Sequence, residues 1–353
     1  MGRNKKQGNV MNRISLLAVL TASAAASPLA AQETMYFAGY SGDFQTMFEA
    51  EIAPGFEAEH NVDVVFVPGN SGQTLAKLQA QKGNQEISVA LVDDGPMQMA
   101  VQFGLCDSVD SADVYGDLYD MAKPENFDGK AVGIGLVATG IAYNKEKFDS
   151  QGWAAPTSWN DLTDDKFDKR VTSNPISGTF GLNSLLMFAR MNGGSENNIE
   201  PGFDVIREKL APKVVTWSSS NAEMAQMFQN GDIDLGVWGS NRAVALKKTG
   251  FPVEFVYPEE GAPAIIASAC AIAEGPQAEL AQEFLKYLVS PEVQTKLATQ
   301  GFGPTNSTTT LDAAVAEEVP YGEDKLSKMI SMDWSVINAN RADWTKQWTR
   351  TVE

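Results

Sequence analysis

Hydrophobic positions along the chain follow two periods, that of a buried strand and that of a helix with one apolar face. The run "TMYFAGY" predicts a strand, and the residues after it place Phe44, Met47, Phe48, Ile52 and Phe56 at helical spacing. "NVDVVFVPG" predicts a second strand, "SGQTLAKLQAQKGN" a second helix and "ISVALVDDG" a third strand. Strand and helix alternate in this way when helices cover a parallel sheet.

The alternation resumes after the apolar run "AVGIGLVATGIAYN". The segments "SWNDLTDDKF", "GFDVIREKL" and "NAEMAQMFQNG" predict helices, and "DIDLGVW" predicts a strand. "VEFVYPEEGAPAIIASACAIAE" predicts two apolar strands around a charged turn, followed by two helices in "AELAQEFLKYLVSPEVQTKLATQG". The sequence thus predicts a second α/β lobe, joined to the first by strands that form a hinge.

A polar elbow lies at residues 172–181, where a strand-like run turns into an amphipathic helix. The elbow contains Ser177, Gly178 and Thr179, and the helix presents Leu182 and Leu186 on one face. Free backbone N–H groups and the positive end of the helix dipole meet at such a point. The elbow therefore suits a carboxylate, a phosphate or simply a capping hydroxyl.

Residues 1–31 have the pattern of a secretory signal peptide. Arg3, Lys5, Lys6 and Arg13 precede the run "ISLLAVLTASAAASPLAA", whose apolar core is too short to span a membrane. We expect cleavage after Ala31, with Ala26 as the alternative; translation starting at Met11 would leave a more compact leader. Residues 32–353 are expected to be soluble and periplasmic.

The charge of the chain is strongly negative. The whole sequence carries −18, and the leader contributes four positive charges and no acid, so the remainder carries −22. This balance argues against nucleic acid and against anionic membrane surfaces as partners. About 320 residues without the leader predict two domains of ordinary size.

Few residues are suited to metal binding or catalysis. His60 is the single histidine and no CxxC motif occurs, which argues against zinc sites and against Ser-His or Cys-His catalysis. Cys106 and Cys270 could form a disulfide in an exported chain or remain two buried thiols. The acid pairs at residues 93–94 or 259–260 could serve a secreted hydrolase, but acids adjacent in sequence rarely face one site, and no nucleophile–base set accompanies them. We therefore predict no enzyme, no metal site and no cofactor.

Seven segments in the same order resemble the solute-binding proteins of ABC importers, in the group that binds polyamines, ferric iron, thiamine and phosphonates. They are "MYFAGYSGDF", "GIAYNKEKF", "PTSWNDLTDDKFDKRV", "NPISGTFG", "MFQNGDIDLGVWGSNRA", "YPEEGAPAI" and "FLKYLVSPEVQTKLA". The resemblance implies the type II two-lobe α/β fold, in which each lobe is a mixed sheet covered by helices. Lobe 1 would comprise residues 32–139 and 267–310, and lobe 2 residues 140–266 and 311–353.

The same resemblance implies how the lobes are connected. Strand crossovers would lie near Ala138–Ile141 and near Ile265–Ser268. The last helix, with Trp334, Trp344 and Trp348, would pack on the outer surface of a lobe. One solute would lie in the cleft, with the lobes closing over it, and no reaction is implied.

The solute-binding residues implied by the resemblance lie in both lobes. They are Tyr40, Ser41, Asn70, Ser71, Asp93, Asp94, Ser177, Gly178, Thr179, Trp217, Ser219, Trp238 and Asn241. Most have structural alternatives: Ser41 and Ser71 could only cap helices, the two aspartates could only order a turn, and Trp238 could be a core aromatic.

Departures from the family pattern bear on the solute. Polyamine binders of this kind carry acids where this chain has Asn241 and Ala267, and iron binders use adjacent tyrosines that this chain lacks. We therefore expect a small polar amine or amino-acid-like solute, which the protein delivers to an ABC permease in the inner membrane, itself acting as a monomer. Alternatives are a phosphonate, an organic acid or another anion as solute, or a role in sensing.

Overall fold

The computed structural model describes residues 1–2 and 32–353, so the predicted signal peptide lies almost entirely outside the described residues. Glu33–Glu353 form one compact unit. Its strands are β1 (Glu33–Tyr40), β2 (Val62–Gly69), β3 (Val89–Asp93), β4 (Val132–Asn144), β5 (Val171–Ser173), β6 (Val214–Trp217), β7 (Leu235–Gly239), β8 (Val253–Val256), β9 (Ala262–Ala271) and β10 (Met329–Ile330).

Helices alternate with these strands along the chain. The α-helices are α1 (Asp43–Met47), α2 (Ala53–His60), α3 (Ser71–Ala80), α4 (Asp94–Gln102), α5 (Lys145–Gln151), α6 (Thr179–Met191), α7 (Glu200–Val205), α8 (Asn221–Asn230), α9 (Ser240–Lys248), α10 (Ala278–Leu288), α11 (Pro291–Ala298), α12 (Ala313–Glu318), α13 (Glu323–Leu326) and α14 (Trp334–Thr351). Short π-helical turns, Phe48–Ile52 and Ile206–Leu210, follow α1 and α7. The alternation read from the sequence is thus present in both halves of the chain.

The strands run in the order β2-β1-β3-β9-β4-β7-β5-β6, with β8 beside β4 and β10 beside β9. β1 is parallel to β2 and β3, and β5 is parallel to β6 and β7. Strand β9 runs antiparallel to β3, and β4 runs antiparallel to β7. The sheet is therefore mixed, with parallel strands at both ends.

Strand β4 belongs to both halves of the molecule. It pairs with β9 through Val132–Ala138 and with β7 from Thr139 onward. A Cβ at Gly140 would lie 2.3 Å from the Val256 carbonyl oxygen, so only glycine fits where β4 meets β8. The chain crosses between two lobes along one continuous strand.

Each lobe has its own hydrophobic core. In the first lobe, Phe37, Phe48 and Phe284 pack together, with ring centroids 4.7 Å and 5.2 Å from Phe37. The second lobe buries Trp159 and Phe188. Two separate cores joined by shared strands give a cleft between the lobes.

Cys106 and Cys270 form a disulfide in the first lobe. This resolves the two possibilities that the sequence left open. Cys106 follows α4, and Cys270 lies in β9.

Candidate functional site

The carboxyl ends of two first-lobe strands bring together three of the predicted site residues. Tyr40 ends β1 and Asp93 ends β3, and parallel strands present these ends at one edge of the sheet. The Tyr40 hydroxyl donates to Asp93 Oδ1 at 2.6 Å. The Asp93 N–H donates to Ser71 Oγ at 3.1 Å. Tyr40, Ser71 and Asp93 thus form one polar cluster.

Asn70 and Ser41, their neighbours in sequence, have different surroundings. The Asn70 side chain accepts from the Gln73 N–H at 2.9 Å, and Gln73 Oε1 accepts from the Asn70 N–H at 3.1 Å. Asn70 therefore closes a reciprocal cap on α3. Ser41 is exposed, and its N–H donates to the Gly69 carbonyl at 3.0 Å. The capping that we considered for Ser71 thus belongs to Asn70.

Two arginines of the second lobe face the Asp93 cluster. Burial raises the pKa of Asp93, while the hydrogen bonds from Tyr40 and Ser71 and the charges of Arg242 and Arg341 lower it. Burial and the Asp93 charge raise the pKa of Tyr40 well above its ordinary value, so its hydroxyl remains a donor. The cluster is a carboxylate opposed by two guanidinium groups.

These arginines differ in exposure: Arg341 is half-buried and Arg242 is exposed. Partial withdrawal from water lowers the pKa of both guanidinium groups, and the charge of Asp93 raises it. Neither guanidinium forms an ion pair closer than 4 Å with a carboxylate of the described residues. Two guanidinium groups without a close acid favour an anionic partner.

The elbow at the start of α6 adjoins Arg341. Gly178 is the N-cap residue, without a side-chain cap, and Thr179 is the first residue of the 13-residue helix. Arg341 Nη2 donates to the Ser177 carbonyl oxygen at 2.9 Å. Gly178 and Thr179 are half-buried and Ser177 is exposed. The structure therefore brings the predicted elbow and a guanidinium to one place.

Asp94 points away from Asp93, toward the last helix. Its side chain is 5% exposed, and Oδ2 accepts from Trp334 Nε1 at 2.6 Å. Burial raises the pKa of Asp94 to about 7; the Trp334 hydrogen bond lowers it and the neighbouring Asp93 charge raises it. The last helix thus does more than cover an outer surface, since Trp334 reaches the first lobe.

The two predicted tryptophans lie in the packing of the second lobe. Trp238 is 1% exposed, its ring centroid is 5.9 Å from that of Phe228, and its Nε1 donates to Asn221 Oδ1 at 2.9 Å. Trp217 packs edge-on against Trp348 at 4.7 Å. Trp238 therefore has the surroundings of the core aromatic that was the alternative interpretation of this residue.

Two further predicted residues are polar and lie at loop–helix junctions. Ser219 is exposed before α8. Asn241 lies beside Arg242 at the start of α9, against a first-lobe loop: a Cβ at Gly301 would be 2.7 Å from Asn241 Cα. Asn241 Oδ1 is buried and has no hydrogen-bond partner among the described residues, so it can accept a donor from a solute.

The sequence reasoning missed Arg242 and Arg341. Arg242 follows Asn241 directly in "GSNRA", so its position in the quoted motif was an available signal. Arg341 offered no such signal, because its contact with the elbow depends on how α14 packs against the rest of the chain.

Residues 1–2 and 32–353 contain no group of three or more His, Cys, Asp or Glu side chains placed to hold a metal ion. Among the helices that the structure describes, none is long and apolar enough to cross a membrane.

Comparison with known proteins identifies the family. Residues 51–321 match the bacterial extracellular solute-binding proteins. The chain belongs to this family. It is a binding protein of ABC transport, and not an enzyme.

Individual relatives of this solute-binding protein agree with that assignment. It is 25% identical over 328 residues to a thiamine-binding periplasmic protein of Escherichia coli, covering 86% of this chain and 90% of the relative. It is 26% identical over 162 residues to a spermidine/putrescine-binding periplasmic protein of Salmonella typhimurium, covering 46% and 45%. The structure of an ABC transporter protein from Clostridium perfringens matches with TM-score 0.78 and 23% identity, covering 90% of this chain and 100% of that one. The two-lobe fold and the resemblance read from the sequence are confirmed.

Proposed function

We propose that this solute-binding protein captures a small amino-acid-like solute in the cleft between its lobes and delivers it to an ABC permease. The observation that carries the proposal is the pair of arginines, Arg242 and Arg341, which lie near the Asp93 carboxylate without a close ion-pair partner among the described residues. A carboxylate on the solute would be held by the guanidinium groups, and an amine by Asp93. Such a solute needs opposite charges at its two ends.

The elbow supports the same orientation. The Arg341 side chain lies on the Ser177 carbonyl, and the N-terminus of α6 begins at the next residues, Gly178 and Thr179. Helix N-terminal N–H groups and guanidinium groups both stabilise a carboxylate. The anionic end of the solute would therefore lie here, with the amine toward Asp93 and Asn241 Oδ1.

A purely cationic polyamine fits these charges poorly. Ala267, at the position where polyamine binders carry an acid, is buried in β9 and pairs with Asp93 in β3. Two guanidinium groups would face the ammonium groups of a polyamine, which is costly in a closed cleft. Among amines related to polyamines, we therefore expect the protein to bind those that also carry an acidic group.

A second candidate is a solute with two negative charges, such as a dicarboxylate or a phosphate ester. The two guanidinium groups near Asp93 favour it, since the Asp43 carboxylate that also acts on Arg242 is exposed. The charge on Asp93 distinguishes the two candidates, because an amine gains from a carboxylate there and a dianion does not.

The proposal includes the cellular setting. The chain would be exported through a signal peptide that is cleaved after Ala31, and it would act as a monomer in the periplasm. One lobe would comprise residues 32–139 and 267–310, and the other residues 140–266 and 311–353. A solute that contacts both lobes would stabilise a closed and more compact form.

The test is a thermal-shift screen of ω-amino acids, dicarboxylates, sugar phosphates and diamines, followed by titration calorimetry. A ligand at about 100 times its Kd stabilises the folded state by about 2.7 kcal/mol. The decisive pair is 4-aminobutanoate and 1,4-diaminobutane, which differ only in the carboxylate. We expect the amino acid to bind more tightly; tighter binding of the diamine would refute the proposal.

Variants of the arginines connect the affinity to the site. Arg242→Met and Arg341→Met keep an unbranched apolar stem and remove the charge and the donors. A hydrogen bond to a charged group contributes about 1.5–3 kcal/mol, so each change should weaken binding of the amino acid about 10- to 100-fold. Arg350→Met, in the exposed last turn of α14, is the matched control and should leave affinity unchanged.

A further inference from the structure

One face of α14 contacts both lobes. Trp334, Asn338 and Arg341 stand at positions i, i+4 and i+7, which lie on one side of a helix. Trp334 Nε1 donates to Asp94 Oδ2 at 2.6 Å, and Asn338 Nδ2 donates to the Gly95 carbonyl at 3.1 Å. Arg341 binds the elbow of the second lobe instead. The contacts of this face therefore pass from the first lobe to the second within two turns.

The adjoining strip of the same side of α14 is anchored in the second lobe. Ile337, Trp344 and Trp348 are buried in its core. The contact with the first lobe is equally close: a Cβ at Gly95 would lie 2.6 Å from Trp334 Cε3. Helix α14 is thus a packed element of the second lobe that rests directly on the first turn of α4.

The contact between α14 and α4 determines the positions of both charged groups of the proposed site, Asp93 and Arg341. Asp93, the last residue of β3, is followed at once by Asp94, which Trp334 binds. Arg341 lies seven residues along the same helix from Trp334, about 10 Å at the rise of an α-helix. A shift of α14 relative to α4 would change the distance between the Asp93 carboxylate and the Arg341 guanidinium.

We propose that Trp334 is a positioning residue of the solute site. Through its hydrogen bond to Asp94 it fixes the β3–α4 junction that carries Asp93, and through its helix it fixes Arg341 at the elbow. The separation of the two charged groups then selects the length of the solute. This inference rests on the proposed function for the identity of the solute, while the anchoring itself is independent of it.

The test uses Trp334→Phe, which keeps an aromatic ring and removes the indole donor. The matched control is Trp344→Phe on the same helix, since Trp334 and Trp344 are 6% and 7% exposed. Hydrogen exchange of the full, solute-free protein is measured in peptides covering residues 93–102 and 334–341. We expect at least a several-fold increase in exchange in both peptides for Trp334→Phe and wild-type rates in the 93–102 peptide for Trp344→Phe. Equal rates in residues 93–102 for the two variants would overturn the inference.

Binding supplies the second readout. Trp334→Phe should weaken binding of 4-aminobutanoate about tenfold and narrow its preference over the homologues with one methylene more or fewer, while Trp344→Phe keeps the wild-type preference. An unchanged affinity and length preference in Trp334→Phe would overturn the inference even where stability falls. If the wild type binds none of these amino acids, the proposed solute is wrong, and hydrogen exchange alone decides whether Trp334 anchors the junction.

A rescue variant separates the hydrogen bond from general packing. Asp94→Asn keeps a carbonyl oxygen that accepts from the indole, whereas Asp94→Leu has no acceptor. Wild-type exchange in Asp94→Asn, with fast exchange in Asp94→Leu, supports the inference. Equal exchange rates in the two Asp94 variants would contradict it.

Discussion

The Tyr40 hydroxyl donates a hydrogen bond to Asp93 Oδ1 at 2.6 Å, joining the ends of two parallel strands. The bond stabilises the ionised carboxylate, since it lowers the pKa of Asp93 against the effect of burial. Asp93 is therefore held ready to meet a positive group while it remains largely withdrawn from water.

Tyr40→Phe should raise the pKa of Asp93 and weaken binding of an amine-bearing solute by about 1.5–3 kcal/mol, because a bond to a charged group is lost. The loss should grow as the pH is lowered, because losing the bond favours the protonated carboxyl of Asp93, and binding at pH 6 is compared with binding at pH 8. Calorimetry at both pH values measures it. The control is Tyr36→Phe on the exposed part of the same strand. Equal binding by wild type and Tyr40→Phe at both pH values would show that this bond plays no part in capture.

Thr179→Val tests whether the elbow binds the carboxylate end. The change keeps the side-chain shape and removes the hydroxyl at the first residue of α6. We expect a loss of roughly 1–3 kcal/mol for 4-aminobutanoate, because a desolvated carboxylate oxygen loses a donor, and no change for 1,4-diaminobutane. Thr295→Val, on the exposed surface of α11, is the control. If both ligands retain their affinities in Thr179→Val, the elbow serves only to begin the helix.

Trp238→Ala should act on stability. The side chain is buried against Phe228, and removing a buried tryptophan costs about 3–5 kcal/mol of unfolding free energy. Urea unfolding measures the change, with the exposed Phe103→Ala as a surface control that should shift stability by about 0.5 kcal/mol or less. If the variant has a wild-type urea midpoint but binds the solute weakly, Trp238 instead contacts the solute in the cleft.

Asp94 should make the protein less stable as the pH rises. Its pKa of about 7 in the folded state lies above the ordinary value of 3.8 for an aspartate, so the folded protein binds the proton more tightly. This contribution is fully present below about pH 4 and is lost as the pH rises through about 7. Between pH 4 and pH 8, the free energy of unfolding should fall more steeply in wild type than in Asp94→Asn, whose side chain stays neutral. The exposed Asp343→Asn should follow the wild-type curve, and parallel curves for wild type and Asp94→Asn would contradict the expectation.

Local pattern was sufficient to predict that the polar residues at the ends of β1 and β3 lie close together. The apolar runs that end at Tyr40 and Asp93 are strands whose carboxyl ends must meet once the sheet is parallel, so their polar neighbours could be found from sequence. The same logic could not settle Trp238. Every residue of β7 is buried, so alternation does not tell which side of the strand faces a cleft.

Local sequence could not predict the role proposed for Arg341, for a different reason. Arg341 lies on a helix whose sequence signals its ends and its apolar face, but its partners are Ser177 and Asp93, more than 160 residues earlier in the chain. Contacts of this kind depend on how two lobes meet, and no period in the local sequence carries that information. The same holds for Trp334 and Asp94.

The disulfide between Cys106 and Cys270 joins residues 164 positions apart, and the intervening chain contains strands β4, β5, β6, β7 and β8. A protease that cuts once in an exposed loop of this span therefore cannot release a fragment. Such a nicked molecule should migrate as one species on a gel without reductant and as two fragments with it. Limited proteolysis can thus probe the second lobe while the molecule remains covalently whole.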